Sequence, residues 1–90
     1  MIDFEWDDAK AIRNEERHGV PFVAIFDFDF DTALVFKDDR QDYGEDRRIA
    51  IGFITERLHV LIYTMRDTTM RIISLRKANQ REIKTYVDQI

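Results

Sequence analysis

Between residues 47 and 76, three strand-like runs follow one another with little between them: Arg47 to Ile54, Arg57 to Thr64 and Met70 to Arg76. Each is rich in β-branched and aromatic side chains, and only Thr55 and Glu56 separate the first from the second. That gap admits a tight turn and no crossover, so the centre of the chain must be an antiparallel meander. The flanks then have to supply what buries it. Phe4 to Trp6 suits a short opening strand, and Asp7 has the short acceptor side chain that caps a helix over residues 8 to 18. Arg17, His18 and Gly19 form the stop signal of that helix: cations near its last carbonyls, then a residue that tolerates positive φ. Pro21 suits the first turn of a second, short helix through about Asp27. The Phe/Asp alternation from Phe26 to Asp31 fits either the end of that helix or a half-buried strand; we read helix first, then a strand over Ala33 to Lys37. A polar loop, DDRQDYGED, leads into the meander. A closing helix starts after Asn79, its cap, with Ile83, Tyr86, Val87 and Ile90 near helical spacing. The expected class is α+β: N-terminal helices packed on one face of a small, mainly antiparallel sheet, with a C-terminal helix.

Ninety residues, 44% of them hydrophobic and seven of them phenylalanine, fit one domain over residues 1–90 whose core must be dense in large side chains. With no cysteine, disulfides and thiolate metal sites are excluded. No apolar run approaches the roughly 18–20 residues a bilayer span needs, and the charged start MIDFEWDDAK is no signal-peptide core, so a soluble, cytoplasmic chain is expected. The net charge of −4 hides an asymmetry: residues 1 to 46 carry 14 acids against 5 bases, and residues 47 to 90 carry 4 against 9. A surface built from the second half can attract a polyanion despite the acidic total.

Period-two reading of the strands puts Ile49, Ile51 and Phe53 on one face, with Leu58, Val60, Ile62, Ile73 and Leu75. If that face packs on the helices, the other collects Arg48, Ala50, Gly52, His59, Tyr63, Ser74 and Arg76, a polar, aromatic and basic surface. Arg71 falls by parity on the apolar side, so it sits at an exposed strand end or a bulge re-aims it. Arginine dominates these positions, and its planar fork matches phosphate oxygens bidentately.

Other chemistries find less support. Asp27, Asp29 and Asp31 imitate the start of a calcium loop, but Thr32 stands where the glycine belongs and Asp38 where the glutamate belongs, so a solvated turn and no metal are expected. His18 and His59 have no partner at zinc-ligand spacing. No glycine-rich phosphate loop, GxSxG or HExxH occurs. Direct DNA binding is disfavoured because no helix-turn-helix is evident and the helix 8 to 18 is not basic overall.

FEWDDAK at 4 to 10, Asn14, RHGV at 17 to 20, GEDR and IAIG between Gly44 and Gly52, Thr64 with Arg66, and RIISLRKA at 71 to 78 followed by Arg81 and Glu82 form a set. In order and spacing it resembles the BrnT family, toxins of bacterial type II toxin–antitoxin systems, over nearly the whole chain. The resemblance implies a fold related to RelE-type ribonucleases, RNA cleavage without metal or other cofactor, and neutralisation in a hetero-oligomer by a BrnA-type antitoxin that carries the DNA-binding domain. The signature residues it carries over are Lys10, Asn14, His18, Glu45, Arg47, Arg66, Arg71, Ser74 and Arg76. The chain departs from the pattern at Arg17, where lysine is common, at Arg48, where an apolar or aromatic residue is usual, and at Asp67–Met70, which replaces a glycine-containing turn.

Metal-free cleavage needs the 2′-hydroxyl to attack phosphorus while charge grows on the phosphoryl oxygens, so fixed cations and a proton acceptor are the essential parts. Arg76 and Arg66 are accordingly expected at the phosphate. His18 is the expected proton-transfer group, with Glu45 and His59 in reserve. Arg71, Arg47, Arg48, Lys10 and Ser74 are expected to position RNA, and Tyr63 to stack a base. The contrasting expectation is a non-catalytic module whose basic face docks an acidic partner protein.

Overall fold

The computed structural model describes residues 2–90. Strand β1 (Asp3–Glu5) leads into helix α1 (Asp8–His18) and a single 3-10 helix (Phe22–Asp27). Then come β2 (Leu34–Lys37), β3 (Arg47–Ile54), β4 (Arg57–Arg66), β5 (Thr69–Lys77) and helix α2 (Gln80–Gln89). The five strands form one sheet in the order β1-β5-β4-β3-β2, with β1 parallel to β5 and every other pair antiparallel. The caps behave as their side chains require. Asp7 accepts the Lys10 N–H at 3.0 Å, and Gly19, at φ 72°, ends α1 by donating to the Glu15 carbonyl at 2.8 Å. Asn79 and Glu82 complete a reciprocal capping box at the start of α2, each side chain accepting the other's backbone N–H at 2.9 Å.

The sheet is covered on both faces, which corrects the expected assignment of sides. Val20, Phe22, Ile25 and Phe28 pack on Ala50, Leu61, Tyr63, Met70, Ile72 and Leu75, so Ala50 and Tyr63, expected to face solvent, lie under α1 and the 3-10 helix, whereas Arg76 stays on the other face. On the other face α2 lays Tyr86 and Ile83, with Ala78, over Ile51, Leu58 and Val60. Tyr86 is pinned there by donating its hydroxyl hydrogen to the Thr32 carbonyl at 2.9 Å. Gly52 is part of the first core: a Cβ there would meet the Phe28 ring at 2.7 Å, so this strand position must stay bare for the ring to lie against the sheet. The Asp residues of the Phe/Asp alternation make a turn, Asp29 accepting from the Asp31 N–H and the Thr32 hydroxyl at 3.0 and 2.9 Å.

The arginines of β5 are explained by a break in the ladder. Ile62 pairs with Ser74 but its neighbour Tyr63 pairs with Ile72, leaving Ile73 as the extra residue of a bulge. Ile72 and Leu75, three apart, therefore both enter the core beneath α1. Arg71, opposite Thr64, and Arg76, opposite Val60, consequently share the other face. The β4–β5 hairpin closes without glycine because Asp67 takes φ 56°. Arg66 and Thr69 still pair across it.

Candidate active site

The face that α2 leaves open gathers three arginines at one end. Arg47 begins β3, Arg66 ends β4, and Arg71 sits on β5 beside β1, where Glu5 is its parallel neighbour. Arg47 and Arg71 both oppose Thr64 on β4, one from each side. Two carboxylates from the acidic half of the chain close this cluster. Glu5 lies 3.4 Å from Arg71 and 3.9 Å from Arg66. Glu45 lies 3.9 Å from Arg66 and accepts the Arg47 Nε–H at 3.2 Å. Arg47 is further held over the Tyr43 ring, its guanidinium carbon 4.0 Å from the centroid, a cation–π contact. The Thr64 hydroxyl donates to the Asp46 carbonyl at 2.9 Å and so ties the loop that carries Glu45 to β4. Arg66 is the open member, its side chain 58% exposed against 22% for Arg47 and 29% for Arg71.

Arg76 belongs to a different arrangement. Both its terminal nitrogens donate to Glu82, at 2.8 and 2.7 Å, a bidentate pair. Glu82 thus caps α2 and clamps it to β5 with the same carboxylate, and Arg76 holds that carboxyl below its ordinary range. In register, Arg76 opposes Val60, six residues along β4 from Arg66, which separates the two backbones by about 20 Å. The expectation that Arg76 and Arg66 hold one phosphate therefore fails on distance.

His18 stands nearer Arg76. Burial first, then the charges of Arg17 and Arg76, push its pKa below the ordinary 6.5, so the ring is neutral at pH 7. It lines a groove of about 310 Å³ between α1 and β5, together with Lys10 and Ser74. Asn14, a signature residue with no role assigned from sequence, is buried at the floor of that groove. Its amide donates to the Leu75 and Val20 carbonyls at 2.7 and 3.1 Å, and its oxygen accepts the Leu75 N–H at 3.3 Å. β1 stops at Arg71's level, and Asn14 supplies hydrogen bonds to the stretch of β5 that β1 does not reach. The Ser74 hydroxyl contacts the Asn14 oxygen at 3.5 Å.

Three expected site residues lie elsewhere. Tyr63 is 8% exposed within the core beneath α1 and offers no ring for a base to stack on. Arg48 pairs with Asp46 at 3.0 Å and lines a groove with Tyr63, Val35 and Met65, away from the other arginines because its parity is opposite to theirs. His59 is buried opposite Gly52, near the far end of β4; its Nδ1 contacts the Arg57 carbonyl at 2.8 Å, and burial pushes its pKa down. Conversely, Glu5, Glu82, Tyr43, Arg13 and Arg17 take part without having been singled out as site residues. Glu5 acts through Arg71, 66 residues distant, which no local pattern encodes, whereas Glu82 and Tyr43 meet Arg76 and Arg47 only a few residues along the chain. Arg13 and Arg17 were legible by helical spacing.

The fold is a small α+β domain with a cluster of arginines and carboxylates on one face of its sheet. The class becomes specific on comparison: residues 6–82 match the family described as "Ribonuclease toxin, BrnT, of type II toxin-antitoxin system", and the chain belongs to that family. The structure is similar to the crystal structure of the Brucella abortus ribonuclease toxin BrnT, with a TM-score of 0.75 and 29% identity over 89% of this chain and 100% of that one. Among curated proteins, no sequence matches the chain. Membership makes it a toxin of a type II toxin–antitoxin system, with an antitoxin as partner and RNA as the substrate class of its family. No helix among the described residues is long and apolar enough to cross a membrane.

Proposed function

We propose that the chain is a metal-independent endoribonuclease whose reaction centre is the cluster of Arg47, Arg66 and Arg71 with Glu45 and Glu5. The observation that carries this reading is the looseness of that cluster: Arg66 and Arg71 stand 3.4–3.9 Å from their carboxylates, whereas Arg76 is fully engaged at 2.7–2.8 Å. Guanidinium groups with unspent donors, already held on rigid strands, accept a phosphate without first breaking a tight pair. In the proposed step, Glu45 takes the proton of the 2′-hydroxyl and the 2′-oxygen attacks phosphorus. Arg66 and Arg71 hold the phosphoryl oxygens as charge grows, and Arg47 keeps Glu45 in place. The bond to the 5′-oxygen breaks, that oxygen takes a proton from water, and the hydroxide left takes the proton held by Glu45, so the products are a 2′,3′-cyclic phosphate and a 5′-hydroxyl with Glu45 ionised again. His18 and Arg76 lie outside this cluster and do not enter the step.

By this reading, cleavage of cytoplasmic RNA inhibits translation and growth, and a BrnA-type antitoxin restrains it in a hetero-oligomer. Kinship with RelE-type ribonucleases and a single functional domain over 1–90 are part of the same proposal. Incubation of purified protein with single-stranded RNA in excess EDTA tests it. Fragments that accumulate with time are expected, and Arg66→Ala should slow them by about 10²–10³-fold, as loss of one transition-state donor does. RNA that stays intact would favour the docking module instead.

A further inference from the structure

The helix dismissed as non-basic is basic on one side. At about 100° per residue, Lys10, Arg13 and Arg17 fall within about 60° of one another around α1, while Glu15 and Glu16 fall on the far side with Ile12. The structure keeps them apart: the three cations line the groove between α1 and β5, and Ile12, Glu15 and Glu16 line a separate one. All three cations are exposed, and no carboxylate among the described residues lies within 4.0 Å of any of them. This sets them apart from Arg47, Arg48, Arg66, Arg71 and Arg76, each of which has an acidic neighbour.

We infer that this groove is a phosphate track that binds the backbone of single-stranded RNA outside the reaction centre, with Lys10, Arg13 and Arg17 each neutralising a phosphate. The inference rests on the ribonuclease reading only for the identity of the polyanion. The cations extend about 10 Å along the helix axis, seven residues at 1.5 Å each, so they meet successive charges of a strand rather than one small anion. The floor favours nucleic acid over an acidic protein. Asn14 and Ser74 are polar, and Ile73 is its single apolar side chain, whereas protein interfaces centre on buried apolar or aromatic anchors. The bulge has a further consequence here: by turning Ile73 out of the core it makes the wall of the groove, on the strand that also carries Arg71. One strand thereby borders both the track and the reaction centre.

The test is fluorescence anisotropy of a labelled 2′-O-methyl single strand, which lacks the nucleophile and is not cleaved, titrated between about 50 and 200 mM salt. The triple variant Lys10→Gln, Arg13→Gln, Arg17→Gln should lower the slope of log K against log salt by about 2, at about 0.7 per lost phosphate contact. Extrapolated on that slope, binding at 0.1 M salt weakens by about 100-fold. Its thermal midpoint should match the parent protein, because all three side chains are exposed. An unchanged slope and affinity overturn the inference, as does a parent protein that does not bind the strand. Loss of polyglutamate binding with RNA binding intact would also overturn it, because the groove would then dock a protein. Binding that behaves as expected in a protein that cleaves nothing would uphold the track and sink the ribonuclease reading alone.

Discussion

The two ends of one sheet face use the same residue pair differently. At the Arg76 end, a guanidinium and a carboxylate meet fork to fork at 2.7–2.8 Å, and the pair joins β5 to α2. At the Arg66 end, three guanidiniums share two carboxylates at 3.2–3.9 Å, and Arg66 itself stays open to solvent. Arginine identity alone did not separate these roles, since both ends belong to the family signature. What separates them is whether the donors are spent. A tight bidentate pair that also caps a helix joins elements of the fold, whereas the loose, shared set has the donors that the proposed reaction would use.

This contrast breaks most visibly on paired substitutions. Arg66→Ala, in single-turnover RNA cleavage, should lose the 10²–10³-fold given above, about 2.7–4 kcal/mol of transition-state stabilisation. Its denaturant midpoint should hardly move, because the side chain is exposed. Arg76→Ala should behave in the opposite sense: urea denaturation should show a loss of about 1.5–3 kcal/mol, the range for a hydrogen bond to a charged group, with cleavage retained under conditions where the protein is folded. Loss of cleavage at full stability in Arg76→Ala would place the reaction at the wrong end of the face.

Acid should sharpen the same comparison. The pKa values of His18 and His59 are lowered in the folded protein, so the unfolded chain binds their protons first and stability is fully present above pH 6.5. It should fall as pH drops below 6.5 through the lowered folded values, and His59→Gln should shrink this stage. Glu82 is lowered too, principally by its hydrogen bonds from Arg76, so a second loss should begin below pH 4.5, and Glu82→Gln should diminish it. Thermal midpoints between pH 8 and 3 would show both stages. The smallest effect belongs to Asp67→Gly beside Arg66. Relief of a left-handed backbone, set against the entropy of glycine in the unfolded chain, should stabilise by less than about 1 kcal/mol in thermal unfolding and leave cleavage intact.

Much of the fold was legible because its signals are local. The meander, the Asp7 and Asn79 caps and the Gly19 stop each depend on a few adjacent residues, and the structure reproduces them within a residue or two at most ends. Sidedness was not legible. Parity on β3 and β4 separates two apolar sets, but both faces are covered, so polarity could not say which lies under α1. On β5 the bulge at Ile73 reverses parity, and Ile73 carries no glycine or proline to announce it. Of the two alternatives for Arg71, the bulge that re-aims it was the correct one, and it lies at Ile73. Among site residues, Arg47, Arg66, Arg71 and Glu45 were named from the resemblance and the structure brings them together. Glu5 was missed because parallel pairing of the first strand with the last unites residues 66 positions apart. The charge segregation on α1 was hidden by summing its charges instead of placing them around the helix.

The chemistry of the new ends is the most direct test of the account. RNA cleaved by the protein in excess EDTA should carry a 2′,3′-cyclic phosphate on the upstream fragment and a 5′-hydroxyl on the downstream one, as identified by mass spectrometry, and Glu45→Gln should suppress both together. A 3′-hydroxyl opposite a 5′-phosphate would mean that water attacked, and the assignment of Glu45 and the arginine cluster to 2′-oxygen attack would be contradicted.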